Sequence, residues 1–157
     1  MMKKRLLVSI LVIVSLFMVV GCNSKNTNNE INNNGNNIEE NNLNEVISSV
    51  KVTINNKEYT LNLEDNETAK SFINLLPQEF NMSELNGNEK YIYINSSLPT
   101  NSSNPKHINS GDVMLYGDNC LVIFYKSFDT SYSYTKIGHI DNLGNLGNGS
   151  ISVKFEK

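Results

Sequence analysis

Val50-Lys51-Val52-Thr53-Ile54-Asn55-Asn56-Lys57-Glu58-Tyr59-Thr60-Leu61-Asn62-Leu63 is the stretch on which the fold turns. Val50, Val52 and Ile54 alternate with Lys51, Thr53 and Asn55, the two-residue period of a strand with one buried face. After Asn55-Asn56 the pattern returns in Tyr59, Leu61 and Leu63. Asn tolerates the positive φ that a tight turn demands, so the stretch predicts a β-hairpin.

Downstream of the hairpin the period changes once. Ala69, Phe72, Ile73 and Leu76 form an i, i+3, i+4, i+7 stripe, which predicts a helix whose core side carries Phe72 and Ile73. Asp65 or Asn66 can cap it, Glu67 suits its positive end, and Pro77 stops it. Everything after reads as strand and turn. Phe80 and Met82, reaching toward Leu85, give a short strand, and Asn86-Gly87-Asn88 a tight turn into Tyr91-Ile92-Tyr93-Ile94. Leu98 to Ser110 holds two prolines and no period, and reads as a surface loop. Val113 to Tyr116, Cys120 to Tyr125, Tyr134 to Ile140 and Ile151 to Phe155 are further strands, the second apolar enough to be buried on both sides. Many short strands, frequent turns and one helix predict a mainly β domain: a small closed or nearly closed barrel with one flanking α-helix.

Upstream lies a different kind of chain. Met1-Met2-Lys3-Lys4-Arg5 is a positive cluster, and Leu6 to Val20 is apolar except for Ser9 and Ser15. A helix of that length spans roughly 22 Å, short of a ~30 Å hydrocarbon core, so residues 1–21 read as a signal peptide. Val19-Val20-Gly21-Cys22 resembles the lipobox of bacterial lipoproteins. That resemblance implies a diacylglyceryl group on the Cys22 thiol (palmitate-type acylation), cleavage before it, and an extracytoplasmic protein lipid-anchored to the cell membrane. Two acyl chains hold stably where one is marginal. Residues 22–45 comprise that cysteine and an Asn-rich stretch with too little apolar surface to offset ordering, a disordered spacer about 25 Å in r.m.s. span. The barrel domain then occupies residues 46–157.

After cleavage ten lysines face sixteen acidic residues, a net charge of −6, and no arginine remains. Such a chain is a poor partner for nucleic acid, whose binding rests on neutralising phosphates. With Cys22 consumed, Cys120 has no disulfide partner, and its apolar setting, Cys120-Leu121-Val122-Ile123-Phe124, reads as a small buried hydrophobe rather than a nucleophile. His107 and His139 would need to converge with a carboxylate such as Asp112 or Asp141 to hold a metal, and two isolated histidines do not predict that. No metal, cofactor or catalytic residue is assigned.

Several segments, taken in order, resemble the bacterial cyclophilin-like fold proteins. They are Leu63-Glu64-Asp65-Asn66-Glu67-Thr68-Ala69-Lys70, the Leu75-Leu76-Pro77 stop, Met82-Ser83-Glu84-Leu85-Asn86-Gly87-Asn88-Glu89-Lys90-Tyr91, Gly111-Asp112-Val113-Met114-Leu115-Tyr116 and Ser131-Tyr132-Ser133-Tyr134-Thr135-Lys136-Ile137-Gly138. The resemblance spans residues 48–156 and implies a cyclophilin-type β-barrel flanked by a helix. It does not carry over prolyl isomerase activity. True cyclophilins lower a barrier of ~18–20 kcal/mol with an Arg in a Phe-His-Arg type segment. This domain has neither, and Lys lacks the guanidinium fork.

The tyrosines carry the remaining signal. Tyr91, Tyr93, Tyr116, Tyr125, Tyr132 and Tyr134 cluster in the second half, Tyr91 and Tyr93 on one strand face, with Glu89, Asp112, Ser131 and Ser133 beside them in sequence. An aromatic surface with a few carboxylates suits a peptide or a small organic ligand. The competing reading is that the tyrosines fill a barrel that has no Trp, and that Asp112 is a turn carboxylate. The functional expectation is a non-catalytic binding module with Glu89, Tyr91, Tyr93, Asp112, Tyr132 and Tyr134 at its site. The alternative is a divergent extracytoplasmic foldase acting on prolyl bonds.

Overall fold

A computed structural model describes residues 47–157. The signal peptide, Cys22 and the spacer to residue 45 lie outside the described residues. The hairpin forms as read: β1 (Ser49–Ile54) and β2 (Lys57–Leu63) pair from Ser49↔Asn62 to Ile54↔Lys57. Asn55 and Asn56 both take positive φ, 49° and 62°, the conformation of a type I′ turn.

Eight strands close into an antiparallel barrel in the order β1-β10-β3-β4-β7-β6-β9-β2. The others are β3 (Gln78–Leu85), β4 (Glu89–Tyr93), β6 (Asp112–Tyr116), β7 (Cys120–Phe124), β9 (Thr135–Ile140) and β10 (Ile151–Glu156). Closure leaves no strand edge unpaired. Alternation along each strand then fills the interior with Val50, Val52, Ile54, Leu61, Met82 and their counterparts across the barrel. The helix α1 (Glu67–Leu75) begins at Asn66, whose side chain accepts a hydrogen bond from the Ala69 amide at 2.9 Å. The Asn66 amide group donates to the Lys136 carbonyl oxygen at 2.8 Å, so the cap also fixes the helix to β9. Phe72 meets interior Phe155 edge to face, and the helix thereby plugs one end of the barrel.

Residues 98–110 differ from the surface loop expected of them. β5 (His107–Ile108) pairs with β8 (Phe128–Asp129), Ser103 exchanges backbone hydrogen bonds with Tyr134, and Leu98 and Ile108 are buried. The segment folds against the outer face of the barrel. Ile108, Met114, Cys120, Val122, Phe124 and Tyr134 form a second small core there, with Tyr91 and Phe128 at its margin. This explains why β7 is apolar throughout: Leu121 and Ile123 face the interior, Cys120, Val122 and Phe124 the outer core. Gly111, in the turn just before β6, has φ 100°, and a Cβ there would collide with the Ile140 carbonyl oxygen. Only glycine lets those two segments approach so closely.

Candidate functional site

Alternation along β4 decides what faces the solvent. Lys90 and Ile92 turn inward, and Glu89, Tyr91 and Tyr93 turn outward. The outer side chains line a groove of about 320 Å³ together with Tyr116, Tyr132 and Tyr134. Val122 and Cys120 form part of its apolar lining, Phe128 contributes from β8, and Leu85 and Asn88 flank the β3–β4 turn. That volume is in the range of small-molecule sites.

The aromatic rings lock one another. Tyr91 and Tyr93 meet edge to face at 6.1 Å, Tyr116 and Tyr132 likewise at 6.1 Å, and Tyr116 lies 5.6 Å from Tyr134. Tyr134 also packs on Phe124 at 5.5 Å and is nearly buried, so it is wall and core at once. Tyr93 and Tyr132 remain 62% and 61% exposed, which a residue serving only to fill a barrel would not be. The rings thus divide between the two readings of the sequence: Tyr134 belongs chiefly to the outer core, while Tyr93, Tyr116 and Tyr132 form an exposed rim.

Five of the six residues expected at the site line the groove: Glu89, Tyr91, Tyr93, Tyr132 and Tyr134. Asp112 does not. It is 2% exposed at the start of β6, accepts a hydrogen bond from the Asn109 amide at 2.9 Å, and lies 2.9 Å from His139 Nδ1 and 3.3 Å from Lys136 Nζ. Burial pushes its carboxyl up, but those partners outweigh it and hold the group below the ordinary Asp value. Asp112 closes a turn and ties β6 to β9. His107 pairs instead with Asp129 at 2.7 Å, so each histidine has its own carboxylate. Among the described residues no three His, Cys, Asp or Glu side chains come together as metal ligands would.

Cys120 lines the groove, yet burial and the negative charge of Glu89 push its thiol above the ordinary range. A thiol so held is protonated at neutral pH and is a weak nucleophile. Leu85 and Asn88 carry no sequence signal for the site; Tyr116 belongs to the tyrosine cluster of the sequence but not to the six residues expected at the site, and the structure adds it to the groove.

A further polar group sits at the barrel end opposite the helix. Lys90 has no exposed side-chain surface, and its ammonium donates to Glu84 Oε2, the Gly147 carbonyl and the Gly149 carbonyl, each at 2.7 Å. Tyr125 turns away from the groove and donates to the same Glu84 oxygen at 2.7 Å. Burial, then the Glu84 carboxylate, pushes the phenol up to about 12. The group closes the barrel and takes no part in the groove.

The family model described as the cyclophilin-like family matches residues 52–156, which takes in the barrel, the helix and the groove. Comparisons with curated proteins and with solved structures gave no match.

Proposed function

The chain belongs to the cyclophilin-like family, and from that premise we propose that it is a non-catalytic binding module whose outer groove takes a peptide or a small organic molecule. The observation that carries the reading is the pair of exposed tyrosines, Tyr93 and Tyr132, flanking a groove already formed by packed rings. Exposed aromatic surface costs solubility and is retained where a partner covers it. The lining offers tyrosines, one carboxylate and a protonated thiol, with no Arg of the kind true cyclophilins use.

Proline-containing peptides titrated into the intact protein, followed by amide NMR and by the peptides' own cis/trans exchange peaks, test this. Shifts at Tyr91, Tyr93 and Tyr132 without faster exchange are expected. Tyr132→Ala, a surface change, should weaken the bound peptide about tenfold. Faster exchange would make the protein a foldase instead, and shifts confined to other surfaces would remove the groove from the account.

The module is displayed outside the cytoplasmic membrane, held by lipid on Cys22 and spaced from the surface by the Asn-rich stretch. The lipobox-like Val19-Val20-Gly21-Cys22 supports that placement. Metabolic labelling with a fatty-acid analogue should mark the wild-type protein and vanish in Cys22→Ala. Persistent labelling of that variant would refute the anchor.

A further inference from the structure

Glu89 occupies an unusual position. Its sequence neighbour Lys90, the obvious counter-ion, is carried to the opposite face by strand alternation and spends all three N–H donors on Glu84, Gly147 and Gly149. Among the described residues no cation lies within ion-pair distance of Glu89 and no donor bonds it. The carboxyl is half-buried, and burial followed by the charge of Glu84 pushes it above the ordinary range. Beside it, Asn88 Oδ1 is buried with no hydrogen-bond partner. Of the two, the Glu89 carboxylate lies on the outward face of β4 that lines the groove, an acceptor without a donor, which proteins seldom leave unmatched.

The walls point the same way. A tyrosine ring carries negative potential on its face and attracts a cation that settles over it. Tyr93, Tyr116 and Tyr132 supply exposed rings at the rim, and neither Lys nor Arg lines the groove. Exposed tyrosine rings and an unpaired carboxylate are complementary to a positive group that also donates hydrogen bonds.

We infer that the ligand of this groove presents a primary alkylammonium group, donating to Glu89 while its alkyl stem lies against the tyrosines. The inference rests on the groove being the binding site and names the chemistry it selects. A quaternary ammonium would satisfy the rings alone, because it has no N–H to donate. A carboxylate or phosphate ligand would be repelled by Glu89. A lysine side chain and a free amine share the required chemistry.

The test is an amide NMR titration of the intact protein with n-butylammonium, tetramethylammonium and n-butanol at fixed ionic strength, in wild type and in Glu89→Gln. Saturable shifts at Tyr93, Cys120 and Tyr132 are expected with n-butylammonium. Binding should be at least about fivefold weaker with tetramethylammonium and absent with n-butanol. Glu89→Gln, with an otherwise unchanged spectrum, should weaken n-butylammonium by about tenfold or more. An end-blocked Gly-Lys-Gly peptide binding more tightly than n-butylammonium would identify a peptide as the source, and the reverse a free amine. Equal affinity of n-butylammonium for wild type and Glu89→Gln would overturn the inference. So would proline peptides that fill the groove while n-butylammonium does not, an outcome that leaves the binding module standing. Shifts from no probe of either kind would sink both.

Discussion

Lys90→Met lowers the unfolding free energy by about 3–5 kcal/mol at neutral pH, measured by urea denaturation. The methionine keeps most of the volume but deletes three hydrogen bonds at once. The Gly147 and Gly149 carbonyl oxygens lose their donor, and Glu84 keeps a charge with only Tyr125 and the Gly87 amide to stabilise it. The cost depends on Glu84 staying ionised, which gives the prediction a second handle. In the wild-type fold burial pushes the Glu84 carboxyl up, but hydrogen bonds from Lys90, Tyr125 and the Gly87 amide outweigh it and leave it below the usual 4.5. A carboxyl depressed on folding contributes stability that is present above its ordinary value and is lost as pH falls through the depressed one. Asp112 acts in the same direction. The wild-type domain should therefore lose stability on acidification below pH 4.5. In Lys90→Met the carboxyl loses its ammonium donor, Glu84 takes up its proton more readily, and the gap to wild type narrows as the pH falls. Adding Glu84→Gln to Lys90→Met should recover part of the loss by removing the uncompensated charge. A Lys90→Met domain as stable as wild type at neutral pH would show that the 147–149 loop closes the barrel without it.

The same lysine shows where sequence reading stops. Hairpin, helix and barrel were legible because their signals are local: Asn55-Asn56 turns, Asn66 caps, and the alternation around Leu61 and Val153 repeats within a few residues. Which face of β4 turns inward was not local. Glu89-Lys90-Tyr91-Ile92-Tyr93 alternates tyrosine with lysine and isoleucine, and hydropathy alone places a lysine in water. The inward turn of Lys90 is set by acceptors 57 and 59 residues away, at Gly147 and Gly149. That choice in turn puts Glu89, Tyr91 and Tyr93 in the groove. Asp112 was misplaced for the complementary reason, since closeness to tyrosines in sequence says nothing about the His139 and Lys136 that surround it in space. The Pro- and Asn-rich stretch before Gly111 hid a contribution to the outer core for want of a period. Its anchor in that outer core, Ile108, stands among polar residues.

At the other end of the barrel the expected loss is as large and its cause is apolar. Phe155→Ala should cost about 3–5 kcal/mol, the range for emptying a fully buried phenylalanine site. Phe155 lies on β10 between β1 and β3, opposite Val52 and Gln78, with Phe72 of the helix 5.2 Å away at 89° and Phe80 at 6.1 Å. Its removal opens a cavity beneath the helix and deletes an edge-to-face contact, so the helix loses much of what seats it on the barrel. A cycle combining Phe72→Leu with Phe155→Leu should return about 0.5–1.5 kcal/mol of coupling for the ring pair. The groove lies on β4, β7 and β6, with neither phenylalanine in its lining. Phe155→Ala protein that remains folded should therefore bind groove ligands with wild-type affinity although its unfolding midpoint has fallen. Weakened binding in the folded fraction would mean that the helix end and the outer face are coupled through the barrel. A stability loss below about 1 kcal/mol would mean that the interior collapses into the vacated space, and that the Phe72–Phe155 contact does not hold the helix in place.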